Sequence, residues 1–201
     1  MGSPLRAQRP TFTHGDWVQV YVDPDPTGRG PGFIRIEERQ GAPGVAVLPL
    51  LGNSVGLVSV YRRTLDKQVL EIPRGFGGEG TGPRSDATRE LEEETGILIP
   101  EDALIDLGSI TPNSGILSAS VCLYAAVVGD DQRQTTIQDN NEVSSFEWRS
   151  IGEVMDLIRG DGLQDSFTQA ALLRAAAVGL ISLGAPSRDT HPMTVPIEDR
   201  A

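Results

Sequence analysis

Aromatic residues make up only 5% of this 201-residue chain, with two histidines and one cysteine. His14 and His191 lie in polar, proline-containing ends, so neither is a convincing catalytic base or zinc ligand. A single cysteine excludes an intrachain disulfide. Cys122 falls in the apolar run Ala119–Val128, where a packed structural thiol is expected rather than a nucleophile. Basic side chains are outnumbered 17 to 28, giving a net charge of −11. A nucleic-acid polymer needs a basic surface, so that class of partner is excluded, while small nucleotides stay open. No stretch approaches the roughly 20 apolar residues of a membrane-spanning helix. The N-terminus also shows no basic-then-apolar leader, so no membrane partner and a cytoplasmic location are expected.

What is present is ordinary globular usage, 38% hydrophobic and 22% charged, in a length suited to one domain with appendages. Residues 1–15 and 185–201 are polar, proline-bearing and without helical period, and are expected to be flexible tails. Between them, short β-branched runs punctuated by Gly, Pro and Asn predict strands at Trp17–Val22, Phe33–Glu38, Val45–Leu51, Gly56–Tyr61, Val69–Ile72, Leu104–Ile110, Ser118–Val128 and Glu142–Trp148. Helical patterns cover 83–95, Ile151–Arg159 and Ser166–Leu183. The expected organisation is an N-terminal β unit at 16–42 followed by an α+β domain at 43–184, a mixed sheet with helices packed on it.

The most informative stretch runs from Gly75 to Ile97. A glycine-rich turn leads into a helix that Gly82 and Pro83 open and Gly96 closes. At about 100° per residue, Glu90, Glu93 and Glu94 fall at i, i+3 and i+4 on one face, with Glu92 pointing nearly the other way. Like charges at this spacing destabilise a helix by a few tenths of a kcal/mol per pair. A hard divalent cation removes that repulsion, and carboxylate oxygens are the ligands Mg²⁺ or Mn²⁺ prefers. Glu90, Glu93 and Glu94 are therefore candidate metal ligands, against the plainer reading of a solvated acidic face. Arg89, one turn before Glu93, can brace the carboxylates through its planar fork.

Gly75, Arg89, Glu90, Leu91, Glu93, Glu94, Gly96 and Ile97 fit without a gap the 23-residue Nudix box, G-x5-E-x7-R-E-U-x-E-E-x-G-U with U a bulky aliphatic residue. One position departs: Thr81 stands where the pattern has its first glutamate, which in the family supports the arginine and the metal site from behind. The segments Gly44–Leu51, Val60–Arg62, Leu70–Gly75 and Asp165–Leu172 are similar to the ADP-ribose pyrophosphatase branch. This resemblance implies an α/β/α sandwich, a homodimer built through the N-terminal β-segment, and Mg²⁺-dependent hydrolysis of ADP-ribose or a related nucleoside diphosphate sugar. GDP-mannose, a dinucleoside polyphosphate, or nucleotide binding without catalysis are the alternatives. It further implies that the backbone carbonyl of Arg74 adds a metal ligand. The general base is taken from the loop after the long core strand, with Glu142 ahead of Asp139, or from Glu93 in the box. Pro112, 15 residues beyond Ile97, matches a marker of ADP-ribose hydrolysis. Arg62, with Arg63 beside it, is the candidate grip on a phosphate or terminal ribose, and Trp17, Tyr21 and Phe33 are candidates to stack on a base.

Overall fold

The computed structural model describes residues 9–78, 80–132 and 143–184. Among them the chain forms β1 (Phe12–His14), β2 (Val18–Asp23), β3 (Phe33–Glu38), β4 (Gly44–Leu51), β5 (Ser54–Arg62), β6 (Lys67–Glu71), β7 (Arg74–Phe76), α1 (Pro83–Thr95), β8 (Ile105–Ile110), β9 (Val121–Val127), β10 (Val143–Ser150), α2 (Ile151–Arg159) and α3 (Ser166–Ala177).

β4 is the centre of the molecule. Every one of its residues is buried, as expected of a strand covered on both faces. It runs parallel to β9 from Gly44 opposite Val121 to Leu50 opposite Val127. Because side chains alternate along a strand, β4 and β9 serve two cores. Val45, Val47, Tyr124 and Ala126 pack with Ala87 and Leu91 of α1. Ala46, Leu48, Leu123 and Ala125 pack with Val154 of α2 and Leu172 of α3. The result is a mixed sheet, ordered β10-β5-β4-β9-β8 with β6 on β5 and β7 on β4, between helices.

β4 also changes partner along its length. Leu50–Leu51 pair with β5 through a tight turn at Gly52 and Asn53, whereas Gly44–Ala46 pair with β7. Between these two pairings Pro73 accepts the Val47 N–H at 2.9 Å. Proline has no N–H for a ladder, which suits it to this crossing. The chain thus leaves β6 on one strand and arrives as β7 on another, and the crossing carries Glu71 and Arg74 to the foot of the glycine-rich loop.

β1, β2 and β3 form a separate three-stranded antiparallel sheet. It joins the larger one through Ile36, which donates to Ile116 O at 2.8 Å and accepts from Ser118 N at 2.9 Å. Two expectations are corrected here. Phe12–His14, read as part of a tail, pair with Val18–Val20 as a strand; the run is too short and too polar to signal itself. The last helix stops at Ala177 rather than Leu183. There Gly179 takes φ +79°, its N–H donates to Ala176 O at 3.1 Å and the Leu180 N–H to Ala175 O at 2.9 Å. That pair of bonds is the Schellman closure, which glycine makes possible and apolar composition alone does not reveal. β7 was not foreseen at all, because three residues around a glycine carry no strand period.

Candidate active site

The box helix forms for the reasons its ends suggest. Gly82 is the extended N-cap, Pro83 follows it, and Gly96 closes the helix at φ +73° with its N–H on Glu92 O at 2.8 Å. Ala87 and Leu91 anchor it to the core, which turns Glu90 and Glu94 toward β7. Gly75 lies so close beneath that a Cβ there would sit 2.1 Å from Glu90 Oε1; only glycine admits the Glu90 carboxylate at this point.

Glu94 is 6% exposed and accepts the Arg74 N–H at 3.3 Å. Burial, then the neighbouring Glu90 carboxylate, push its pKa up to about 8 against the opposing pull of that N–H. Glu93 is different: its side chain is half exposed and reaches Arg89 Nη1 at 2.8 Å. The Arg89 Nη2 donates to Glu90 Oε1 at 2.7 Å and to Phe76 O at 2.9 Å. Arg89 therefore binds two of the three box carboxylates to each other and to β7. Among the described residues no three Asp, Glu, His or Cys side chains stand as a ready-made metal cage, and Arg89 occupies the space between Glu90 and Glu93.

Beside Glu94, the β6–β7 crossing builds a second charged cluster. Glu71 is 1% exposed and takes both Arg62, through Nε at 3.1 Å and through Nη2, and Arg74 Nη2 at 3.2 Å. The Arg74 guanidinium lies 4.7 Å from the Phe167 ring centroid, and its buried Nε finds no hydrogen-bond acceptor. The cluster is tied to α3. Asp165 caps that helix by accepting the Thr168 N–H at 2.8 Å and its hydroxyl at 2.7 Å, and Thr168 Oγ1 accepts the Ile72 N–H at 2.9 Å.

The loop before the helix has its own fastening. Asp86, 3% exposed, accepts the Gly78 N–H at 3.0 Å and the Thr81 hydroxyl at 2.6 Å, and lies 4.0 Å from Arg89 Nη2. Farther out, Arg39 stacks 3.5 Å from the Trp17 ring centroid and 5.8 Å from that of Phe76, joining the N-terminal sheet to the loop.

Of the residues singled out by sequence, Arg62, Arg74, Arg89, Glu90 and Glu94 meet around β7. Arg63 is exposed at the end of β5. Pro112 lies in the β8–β9 connection, whose neighbours Thr111 and Ser114, with Phe33 and Arg35, line a cavity of about 370 Å³. Trp17 and Phe33 are more than half exposed, while Tyr21 is covered by Arg35 at 3.9 Å. Glu142 and Asp139 lie outside the described residues. Sequence reasoning missed Glu71, Asp86, Asp165 and Arg39. For Asp86 a signal existed: it precedes Arg89 by three residues and Glu90 by four, on the same helical face.

The pattern of the NUDIX domain matches residues 41–170, well over half of the chain. The chain belongs to the Nudix family. Similar proteins include the methanol dehydrogenase activator of Bacillus methanolicus, 31% identical over 129 residues that cover 64% of this chain and 69% of that one. The ADP-sugar pyrophosphatase of Mus musculus is 34% identical over 106 residues, 47% of this chain and about half (49%) of its own length. The ADP-ribose pyrophosphatase of Bacillus subtilis (strain 168) is 27% identical over 142 residues, 70% and 72% of the two chains. This chain is accordingly a Nudix hydrolase resembling the ADP-ribose pyrophosphatase branch, an enzyme acting on phosphorus-containing anhydrides. Nudix hydrolases use divalent cations and small nucleotide substrates. The side chains present fit such a cation: Glu94 is buried close to the Glu90 carboxylate, whose charge a cation would offset, and all the donors are hard oxygens.

Proposed function

We propose that this Nudix hydrolase is a Mg²⁺-dependent pyrophosphatase that cleaves the diphosphate linkage of ADP-ribose or a related nucleoside diphosphate sugar. Water adds to one phosphorus and the P–O–P bond breaks, leaving a nucleoside monophosphate and a sugar phosphate. The observation that carries the reading is the Glu90–Glu94 pair, packed over Gly75 and flanked by Arg62 and Arg74. Carboxylates for the cation and guanidiniums for the phosphates then share one rim. Glu90, Glu93 and Glu94, with the Arg74 carbonyl, would hold the metal. When bound, Mg²⁺ or Mn²⁺ supplies charge neutralisation at the phosphates and activation of water.

The chain's own residues supply the rest. Arg89 keeps Glu90 and Glu93 in register, and the Arg74 N–H holds Glu94. Arg62 offers its remaining donors to a phosphate or terminal ribose, with Arg63 alongside, and Pro112 stands in the β8–β9 connection as the marker of ADP-ribose hydrolysis. Glu142 is the first candidate to take the proton from water, with Glu93 the candidate inside the box. Exposed Trp17 and Phe33 suit a base. Exposed Phe12, Val22 and Ile34 on the N-terminal sheet support a homodimer through residues 16–42, and an unpaired Cys122 suits the cytoplasm.

A panel of ADP-ribose, other ADP-sugars, GDP-mannose and dinucleoside polyphosphates with Mg²⁺ or Mn²⁺, read by phosphate release after phosphatase coupling, tests the reading. Fastest turnover of an ADP-sugar is expected. Turnover of none would sink it. The second reading, a nucleotide binder without catalysis, draws support from Thr81 and from the engagement of Glu90 and Glu93 by Arg89. Glu94→Gln separates the two: a fall in turnover of more than about 100-fold with the fold intact belongs to the enzyme.

A further inference from the structure

The box of this chain departs from its family's pattern at Thr81, yet a carboxylate is present at the place that substitution leaves short. Asp86 reaches it from inside the helix. One of its oxygens accepts both the Gly78 N–H and the Thr81 hydroxyl, at 3.0 and 2.6 Å. The other presses on the loop so closely that a Cβ at Gly77 would come within 2.7 Å of it. The same carboxylate stands 4.0 Å from Arg89 Nη2, the nitrogen that holds Phe76 O and Glu90. Asp86, Arg89, Glu90 and Glu93 follow one another at i, i+3, i+4 and i+7, a single stripe on α1. The buried Asp86 carboxylate thus touches two parts of the site, the glycine-rich loop and the arginine that gathers the acids. Asp86 also lies in the first turn of α1, where an acid suits the helix N-terminus, but the partners of its carboxylate are Gly78, Thr81 and Arg89, all of the loop and the site.

We propose that Asp86 is a positioning residue that performs from the helix the task the family pattern gives to a glutamate at position 81. It fixes the loop by accepting its donors and lends Arg89 negative charge from behind, so that Glu90 and Glu93 are held for the cation. This inference rests on the reading of the site as a metal-dependent pyrophosphatase and deepens it. It also reverses an expectation from the pattern alone. Restoring the missing acid with Thr81→Glu would place two carboxylates around Gly78 and should weaken the site, whereas the same substitution beside Asp86→Ala should repair it.

The test is a Mn²⁺ titration of the full chain followed by electron paramagnetic resonance, with turnover measured in parallel. Loss of an outer partner of a metal-ligand set weakens metal affinity by about 10- to 100-fold. Asp86→Ala is expected to bind Mn²⁺ that much more weakly, Asp86→Asn to fall between it and the wild type, and Thr81→Glu/Asp86→Ala to regain most of the loss. If Asp86→Ala does not fold, the other two variants decide. Wild-type Mn²⁺ affinity in Asp86→Asn and Asp86→Ala would overturn the assignment, and so would a double variant no tighter than Asp86→Ala. A wild-type chain that binds Mn²⁺ but cleaves no pyrophosphate refutes the hydrolase reading alone, and Asp86 is still judged by the titration. A wild type that binds no Mn²⁺ overturns both.

Discussion

Glu94 is where the residue scale decides most. Its carboxyl is held near 8 by burial and by Glu90, far above the ordinary carboxylate range. In the metal-free protein the folded state therefore keeps a proton that the unfolded chain has already released. Stability is greatest below the unfolded pKa and falls as pH rises toward 8, by up to about 1.4 kcal/mol per pH unit. Melting temperatures of the metal-free protein should decline between about pH 5 and 8 and level off above, and Glu94→Gln should flatten that decline. With excess Mg²⁺ the slope should also flatten, because bound metal replaces the proton. Gly75 gives a second prediction at this scale. Its backbone is not in the left-handed region, so Gly75→Ala acts first through the collision of Cβ with the Glu90 carboxylate. Turnover at limiting Mg²⁺ should drop by about 10-fold or more, as for a displaced ligand, with secondary structure by circular dichroism unchanged.

At the scale of elements, the question is how α3, a helix outside the box, comes to matter to it. Thr168 answers that. Its hydroxyl donates to Asp165 and accepts from Ile72, so the cap of α3 and the β6–β7 crossing share one atom. Thr168→Val leaves the Ile72 N–H buried without an acceptor and should cost about 1 to 3 kcal/mol in urea unfolding. It should also raise KM more than it lowers kcat if Arg74 and Arg62 grip substrate. The same scale shows why some of this molecule was legible and some was not. The α1 limits, 83 to 95, could be read directly, because Gly82, Pro83 and Gly96 are local signals with local causes. The β3 and α2 spans followed from composition and period in the same way, whereas the parallel β4–β9 pairing is a long-range contact that no local pattern announces. Glu71 and Asp165 could not be read, and Asp86 only through its helical spacing from Arg89 and Glu90. Each is a lone acid in sequence, and what makes it part of a site is a partner brought near by the crossing or by helical spacing. β7 was hidden for the same reason, since its strand character comes from Gly44–Ala46 alongside it.

At the scale of the whole molecule, the three-stranded N-terminal sheet is the surface on which the proposed homodimer rests. Val20 and Val22 lie opposite Ile36 and Ile34, and Phe12 opposite Val20, so one face of the small sheet is apolar, and Phe12, Val22 and Ile34 on it are about half exposed or more. Placing a charge there should be tolerated by a monomer and not by a dimer using that face. Ile34→Glu is expected to halve the mass measured by light scattering while leaving the melting of the main domain nearly unchanged. A wild type that is already monomeric would remove the dimer from the proposal.

The stack of Trp17, Arg39 and Phe76 has an optical meaning. The chain has two tryptophans: Trp148 is held edge-on against Phe146 in the larger sheet, whereas Trp17 carries a guanidinium on its face. Phe76, whose ring centroid lies 5.8 Å from that guanidinium, also supplies the carbonyl that Arg89 holds. Indole emission from Trp17 should therefore respond, through a single cation, to the loop at the proposed site, and in a Trp148→Phe variant it should report on ligand arriving there without any added dye.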